Sequence, residues 1–121
     1  MKMTEPSRKT VALVKQRDGL RCVRCGRYLE GVPASIHHRR LRSHPFTGLH
    51  EASNLICLCG TGSVGCHLWV HTHQAEAYEN GWLVKGVSDL LLPQQIPVLL
   101  YTGKQVYLDD SGHYIEMEKT A

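Results

Sequence analysis

Two separated cysteine pairs, Cys22-x2-Cys25 and Cys59-x6-Cys66, constrain this chain more than any other feature in it. A Cys-x2-Cys knuckle brings two sulfurs to one metal, and four thiolates are the ligand set of a closed tetrahedral zinc site. The second pair is looser, and the glycines at 60, 62 and 65 would let its loop wrap an ion. Free thiols in a reducing cell would leave the paired spacing unexplained. Closed sites of this kind stabilise a fold and do no chemistry themselves. The need is real here, because 121 residues suffice for one small domain (1–121) whose core is marginal without a structural metal.

No run approaches the ~20 apolar residues of a membrane helix, and the opening MKMTEPSRKT has no apolar secretory core. The expectation is an intracellular, cytoplasmic protein without membrane association, in which cysteines serve metals rather than disulfides. The fifth cysteine, Cys57, reads as a small buried strand residue. Net charge is only +3, but residues 1–42 hold eleven Lys/Arg against three Asp/Glu, and residues 43–121 hold three against eight. A basic half suits contact with phosphates; an ordinary asymmetry of solvated faces is the bland alternative.

Along the chain, Ser7 predicts an N-cap for a helix over about 8–18, which Gly19 would end. Residues 21–26 read as a metal knuckle and 34–40 as a short strand. Residues 41–53 form a polar loop with Pro45 and Gly48, and 55–58 are a partner strand. The pattern from 66 to 79 is helical, stopped by Gly81. Beyond it, 82–85, 96–101, 105–108 and 114–117 read as short strands, with turns at Gly103-Lys104 and Ser111-Gly112. The class is α+β: a zinc-stabilised core over about 20–80, an N-terminal helix, and a β-rich C-terminal extension over about 82–118.

Histidine is abundant, at eight residues. His67 and His71 are four apart on the expected helix, so they share a face and form a natural metal chelate. His73 should point elsewhere. His37 and His38 are adjacent on a strand and face opposite sides, so one could ligate while the other stays free. Three ligands leave coordination positions open, as catalytic metals require. The free imidazole suits a general base near neutral pH. The alternative for any one of them is a solvent-exposed or core-satisfied histidine.

The runs IHHRR, NLICLC and GCHLWVH resemble the HNH endonuclease family, whose ββα-metal, treble-clef-like unit sits on a zinc-stapled core. The likeness is greatest to small phage-encoded members, with their LCGxGxxGCHxxVH stretch, and covers about residues 20–80. It implies His38 as general base, Asn54 as the residue that holds the loop so that the base is oriented, and His37, His67 and His71 as ligands of one catalytic divalent metal. Cys22, Cys25, Cys59 and Cys66 take the structural zinc. Many relatives carry Asp at the position of His37; an all-imidazole set suits Zn, Ni or Mn better than Mg.

The resemblance further implies hydrolysis of double-stranded DNA from the minor groove, leaving 5′-phosphate and 3′-hydroxyl ends. It makes a large terminase subunit a plausible partner in phage DNA packaging. Arg39, Arg40 and Arg42 are the expected phosphate contacts, with Arg21, Arg24 and Arg27 extending that surface; such contacts position without specifying sequence. The competing readings are a zinc-stabilised DNA-binding module without catalysis, and a protein adaptor whose zinc is purely structural. The binding module would not need His38, Asn54, His67 and His71 together.

Overall fold

The computed structural model describes residues 5–86 and 92–117. Helix α1 spans Arg8–Arg17, capped by Ser7, whose hydroxyl accepts the Thr10 amide at 3.1 Å. Strands β1 (Ala34–His38) and β2 (Leu55–Cys59) form an antiparallel pair in which His37 lies opposite Ile56 and His38 opposite Leu55. Helices α2 (Gly65–Thr72) and α3 (Gln74–Glu79) follow. A second antiparallel sheet, in the order β3-β4-β5, comprises Val98–Leu99, Gln105–Leu108 and Tyr114–Glu116. The protein is thus α+β, with three α-helices and two small sheets among the described residues.

Every residue of β2 is buried, Cys57 included. This strand is the spine of the core, with β1 and α2 packed against it. The link from β2 to α2 needs two of its glycines. Gly60 and Gly65 both have positive φ, and a Cβ on either would run into the other's stretch of backbone. Gly62 has open space around it, so it is not needed for this reason.

Two expectations are corrected. The helix expected over 66–79 is broken at His73, whose φ of −128° and ψ of 55° serve both as the end of α2 and the start of α3. The side chains there compete for the helix carbonyls: Thr72 Oγ1 donates to Leu68 O at 3.1 Å, and His73 Nδ1 lies 3.0 Å from Trp69 O. His73 also stacks on Trp69, 4.2 Å between ring centres, and so does turn away from His67. Residues 82–85 form no strand. Trp82, Leu83 and Val84 are instead buried in an irregular link, tied back by the Val84 amide to Arg39 O at 2.8 Å.

The C-terminal extension is built into the core rather than appended to it. Val98, Leu100, Val106 and Leu108 join the same apolar cluster as Val14, Leu55 and Val70. Asp18, at the end of α1, receives the Tyr114 hydroxyl at 2.6 Å, the Cys57 amide at 3.0 Å and the Arg17 guanidinium at 2.8 Å. One carboxylate therefore joins α1, β2 and β5. No helix among the described residues is long and apolar enough to cross a membrane.

Candidate metal centres

The knuckle at Cys22–Cys25 is a tight reversal. The Cys22 amide donates to Arg27 O, the Gly26 amide donates to Cys22 O, and Arg21 pairs with Tyr28 at its base. It sets two sulfurs beside Cys59, at the end of β2, and Cys66, at the start of α2. All four sulfurs lie within 4.8 Å of one another, and Cys25 Sγ is 3.7 Å from Cys59 Sγ. Thiolates bound ~2.3 Å from a tetrahedral zinc stand ~3.8 Å apart, so the quartet has the span of such a site. No disulfide joins them.

The surroundings favour a cation there. Burial pushes the Cys22 and Cys66 thiols up. Burial acts the same way on Cys59, but the Cys66 amide donates to its sulfur at 3.4 Å and, with the neighbouring thiols, brings it below the ordinary value. Thiolates crowded together in this way need a bound cation to ionise together. Arg24 offsets part of their charge: its Nη1 is 3.3 Å from Cys66 Sγ, and its guanidinium lies over the Trp69 ring at 3.6 Å. Arg24 thus packs between the cysteine cluster and Trp69.

His37, His67 and His71 converge similarly, offering nitrogens within 4.8 Å of one another. Strand β1 supplies the first and one face of α2 the other two. Hydrogen bonds settle which nitrogen is available on two rings. His37 Nε2 lies 2.8 Å from Trp82 O. A carbonyl only accepts, so Nε2 carries the proton and Nδ1 keeps its lone pair. Ser35 Oγ donates to Gly60 O at 2.8 Å, which leaves it to accept from His67 Nδ1 at 3.0 Å. His67 therefore presents a bare Nε2. Partners that fix a ring in this manner are usual behind metal-binding histidines.

Burial, helped by neighbouring histidines and opposed by the bond to Trp82, lowers His37 to about 3. Burial and His71 lower His67 too. Both rings are therefore neutral at physiological pH, as ligation requires. The all-nitrogen set fits a borderline divalent ion better than Mg.

His38 lies on the other face of β1 yet lines the same cleft, about 450 Å³, as His37, His67 and His71. Burial, then the positive charge of Arg42, lowers it to about 4, so it too is neutral. Its Nε2 is 3.0 Å from His50 Nδ1. Asn54 is fully buried behind this site. Its Oδ1 accepts the Arg40 amide at 2.7 Å, and its Nδ2 donates to Arg40 O at 3.2 Å and Leu49 O at 2.9 Å. Asn54 therefore clamps both ends of the 40–49 loop that leaves β1.

Of the three arginines expected on phosphates, two are corrected. Arg39 has no exposed surface. Its guanidinium donates to the carbonyls of Gly81, Ser53, Pro93 and Ile96 at 2.7–3.0 Å. It is a buried cross-tie between the core and the extension. Arg40 is 5% exposed, donates from Nε to His44 O at 2.8 Å, and lies over Phe46 at 4.4 Å, bracing the loop. Arg42 alone of the three stands at the cleft mouth half exposed, 3.0 Å from the Glu5 carboxylate.

Sequence reasoning missed His50, Ser35, the Trp82 carbonyl and Glu5. His50 carried one signal, as a histidine four residues before Asn54 in an otherwise polar loop. The others act through contacts between distant segments and leave no local pattern. No family model matches the chain, and neither a curated protein nor a solved structure matches it at a significant level.

Proposed function

We propose that this chain is a metal-dependent endonuclease of the HNH type that hydrolyses phosphodiester bonds in double-stranded DNA. The observation that carries this reading is the pairing of a three-imidazole cluster with a neutral, non-ligating histidine, His38, in one cleft. A four-cysteine cluster braces the same helix, α2, and the strand β2 that pairs with β1. A purely structural protein has no use for a second, open metal site beside the closed one.

His37 Nδ1, His67 Nε2 and His71 would hold one divalent ion. When bound, that ion supplies charge neutralisation at the phosphate and at the leaving oxygen. His38 takes a proton from the attacking water as its oxygen bonds to phosphorus; the bond to the 3′ oxygen breaks with its electron pair going to that oxygen, which takes a proton from solvent water, leaving 5′-phosphate and 3′-hydroxyl ends. His38 is unprotonated at physiological pH and so free to accept a proton. Arg42 at the mouth is suited to a non-bridging phosphate oxygen. Asn54 holds the loop after β1, so the ring of His38 cannot drift with that loop.

Incubating metal-stripped protein with supercoiled plasmid tests this reading, with Mg, Mn, Ni and Zn added separately. Nicked or linear DNA that appears only with metal is the expected result. A protein that retards DNA but never cuts it, whatever the metal, is the zinc-stabilised binding module instead. A protein partner such as a terminase large subunit belongs to the same proposal. The stretch 97–117 cannot be deleted to test docking, since it carries core residues. Exposed side chains there, Ile115 and Met117, should be replaced by polar ones and binding compared.

A further inference from the structure

We propose that His50 is the positioning residue of His38: it accepts the Nε2 proton of that ring and so leaves Nδ1 bare as the nitrogen that receives the proton from water. The inference rests on the reading of His38 as general base. It concerns a residue outside the three-imidazole cluster, on the loop between β1 and β2.

Two imidazoles meet nitrogen to nitrogen, His38 Nε2 to His50 Nδ1 at 3.0 Å, with ring centres 5.1 Å apart and planes at 73°. One nitrogen must donate and the other accept. If His38 donates, both rings carry their proton on Nε2, the tautomer that neutral imidazole side chains prefer in water. If His50 donates, both rings carry it on Nδ1, the less favoured form, twice over. The first arrangement is therefore preferred, and it gives His38 a lone pair on Nδ1. In the second, Nδ1 holds a proton and His38 cannot act as a base through it.

The rest of the site supports the assignment. His37 and His67 each have a fixed proton-bearing nitrogen, held by Trp82 O and by Ser35 Oγ. For His38 the corresponding partner is a side chain, His50. The backbone that carries His50 is itself held. Asn54 Nδ2 donates to the neighbouring Leu49 O, and the Glu51 amide donates to Gly48 O at 3.0 Å. Asn54 thus reaches His38 partly through His50, by fixing the loop from which that ring projects.

The test combines a spectrum and a rate. Zinc-loaded protein labelled with 15N-histidine reports the protonated nitrogen of His38 by nitrogen–proton correlation, in the wild type, His50→Ala and His50→Asn. Asparagine places an amide oxygen near the position of Nδ1 and can accept the same bond. We expect His38 to carry its proton on Nε2 in the wild type and in His50→Asn, and to populate both tautomers in His50→Ala. On plasmid DNA, His50→Ala should lose about 10- to 100-fold in kcat, the range typical of outer partners of functional imidazoles, with KM unchanged. His50→Asn should recover most of that loss. A wild-type His38 protonated on Nδ1 would overturn the proposal, whether or not either variant folds. So would a His50→Ala protein with unchanged tautomer and unchanged kcat. If the wild type cuts DNA with no metal at all, or never cuts, the nuclease reading fails, and the wild-type spectrum still decides the pairing of His38 with His50.

Discussion

His37 Nε2 sits 2.8 Å from the main-chain oxygen of Trp82, which ties a candidate metal ligand to the first residues of the C-terminal extension. Trp82 is anchored in turn: its indole N–H donates to Leu99 O at 2.9 Å. The extension therefore contributes to the candidate metal centre although, among the described residues, it supplies no ligand.

That buried contact gives stability a pH dependence. His37 titrates at about 3 in the folded protein, because burial disfavours its charged form; in the unfolded chain its value is ~6.5. Between these values the unfolded state binds a proton that the folded state refuses. The contribution is complete above ~6.5 and is lost as pH falls toward 3. With the exchangeable metal removed, going from pH 7 to pH 5 should cost roughly 2 kcal/mol through this one group. Urea unfolding of the wild type and of His37→Asn measures it: the acid loss should be smaller by about that amount in the variant. Equal losses would show that His37 is not buried and neutral.

The cysteine quartet predicts a different signature. Cys25→Ser removes one of four thiolates and should lower thermal stability and zinc content together, the metal falling by about one ion per chain. Elemental analysis alongside a melting curve checks this. Unchanged melting with unchanged zinc would remove the structural site.

At the cleft mouth, Arg42 faces Glu5 at 3.0 Å, with both side chains about half exposed or more. A phosphate arriving at Arg42 would compete with that carboxylate. Arg42→Ala should weaken DNA binding without regard to sequence and reduce the slope of log K against log salt by about one. Glu5→Gln should tighten binding modestly. Titrations at several salt concentrations measure both; an unchanged slope in Arg42→Ala would mean that no phosphate reaches that side chain.

Local signals were legible in the sequence. The Ser7 cap, the Cys-x2-Cys knuckle, the β1–β2 pair and the turns around Gly103 and Gly112 follow from short-range chemistry, and the structure has each of them. Helix spacing made the pairing of His67 with His71 legible, and strand alternation showed that one of His37 and His38 could join them; the choice of His37 came from the family resemblance. The fate of the arginines was not. Arg39, Arg40 and Arg42 look alike in a basic run. Only the tertiary fold shows that four distant carbonyls bury the first, that the loop 44–46 engages the second, and that the third reaches the cleft mouth. His50 was hidden for the same reason, since its partner lies twelve residues away across an irregular loop.

The most direct test of the account is His38→Ala beside the wild type, each assayed for metal content and for cleavage of supercoiled plasmid. The account predicts a folded variant that retains both metals and loses about 10²- to 10⁴-fold in cleavage rate, the usual contribution of a general base. A folded, fully metallated His38→Ala that cuts DNA at the wild-type rate would contradict it.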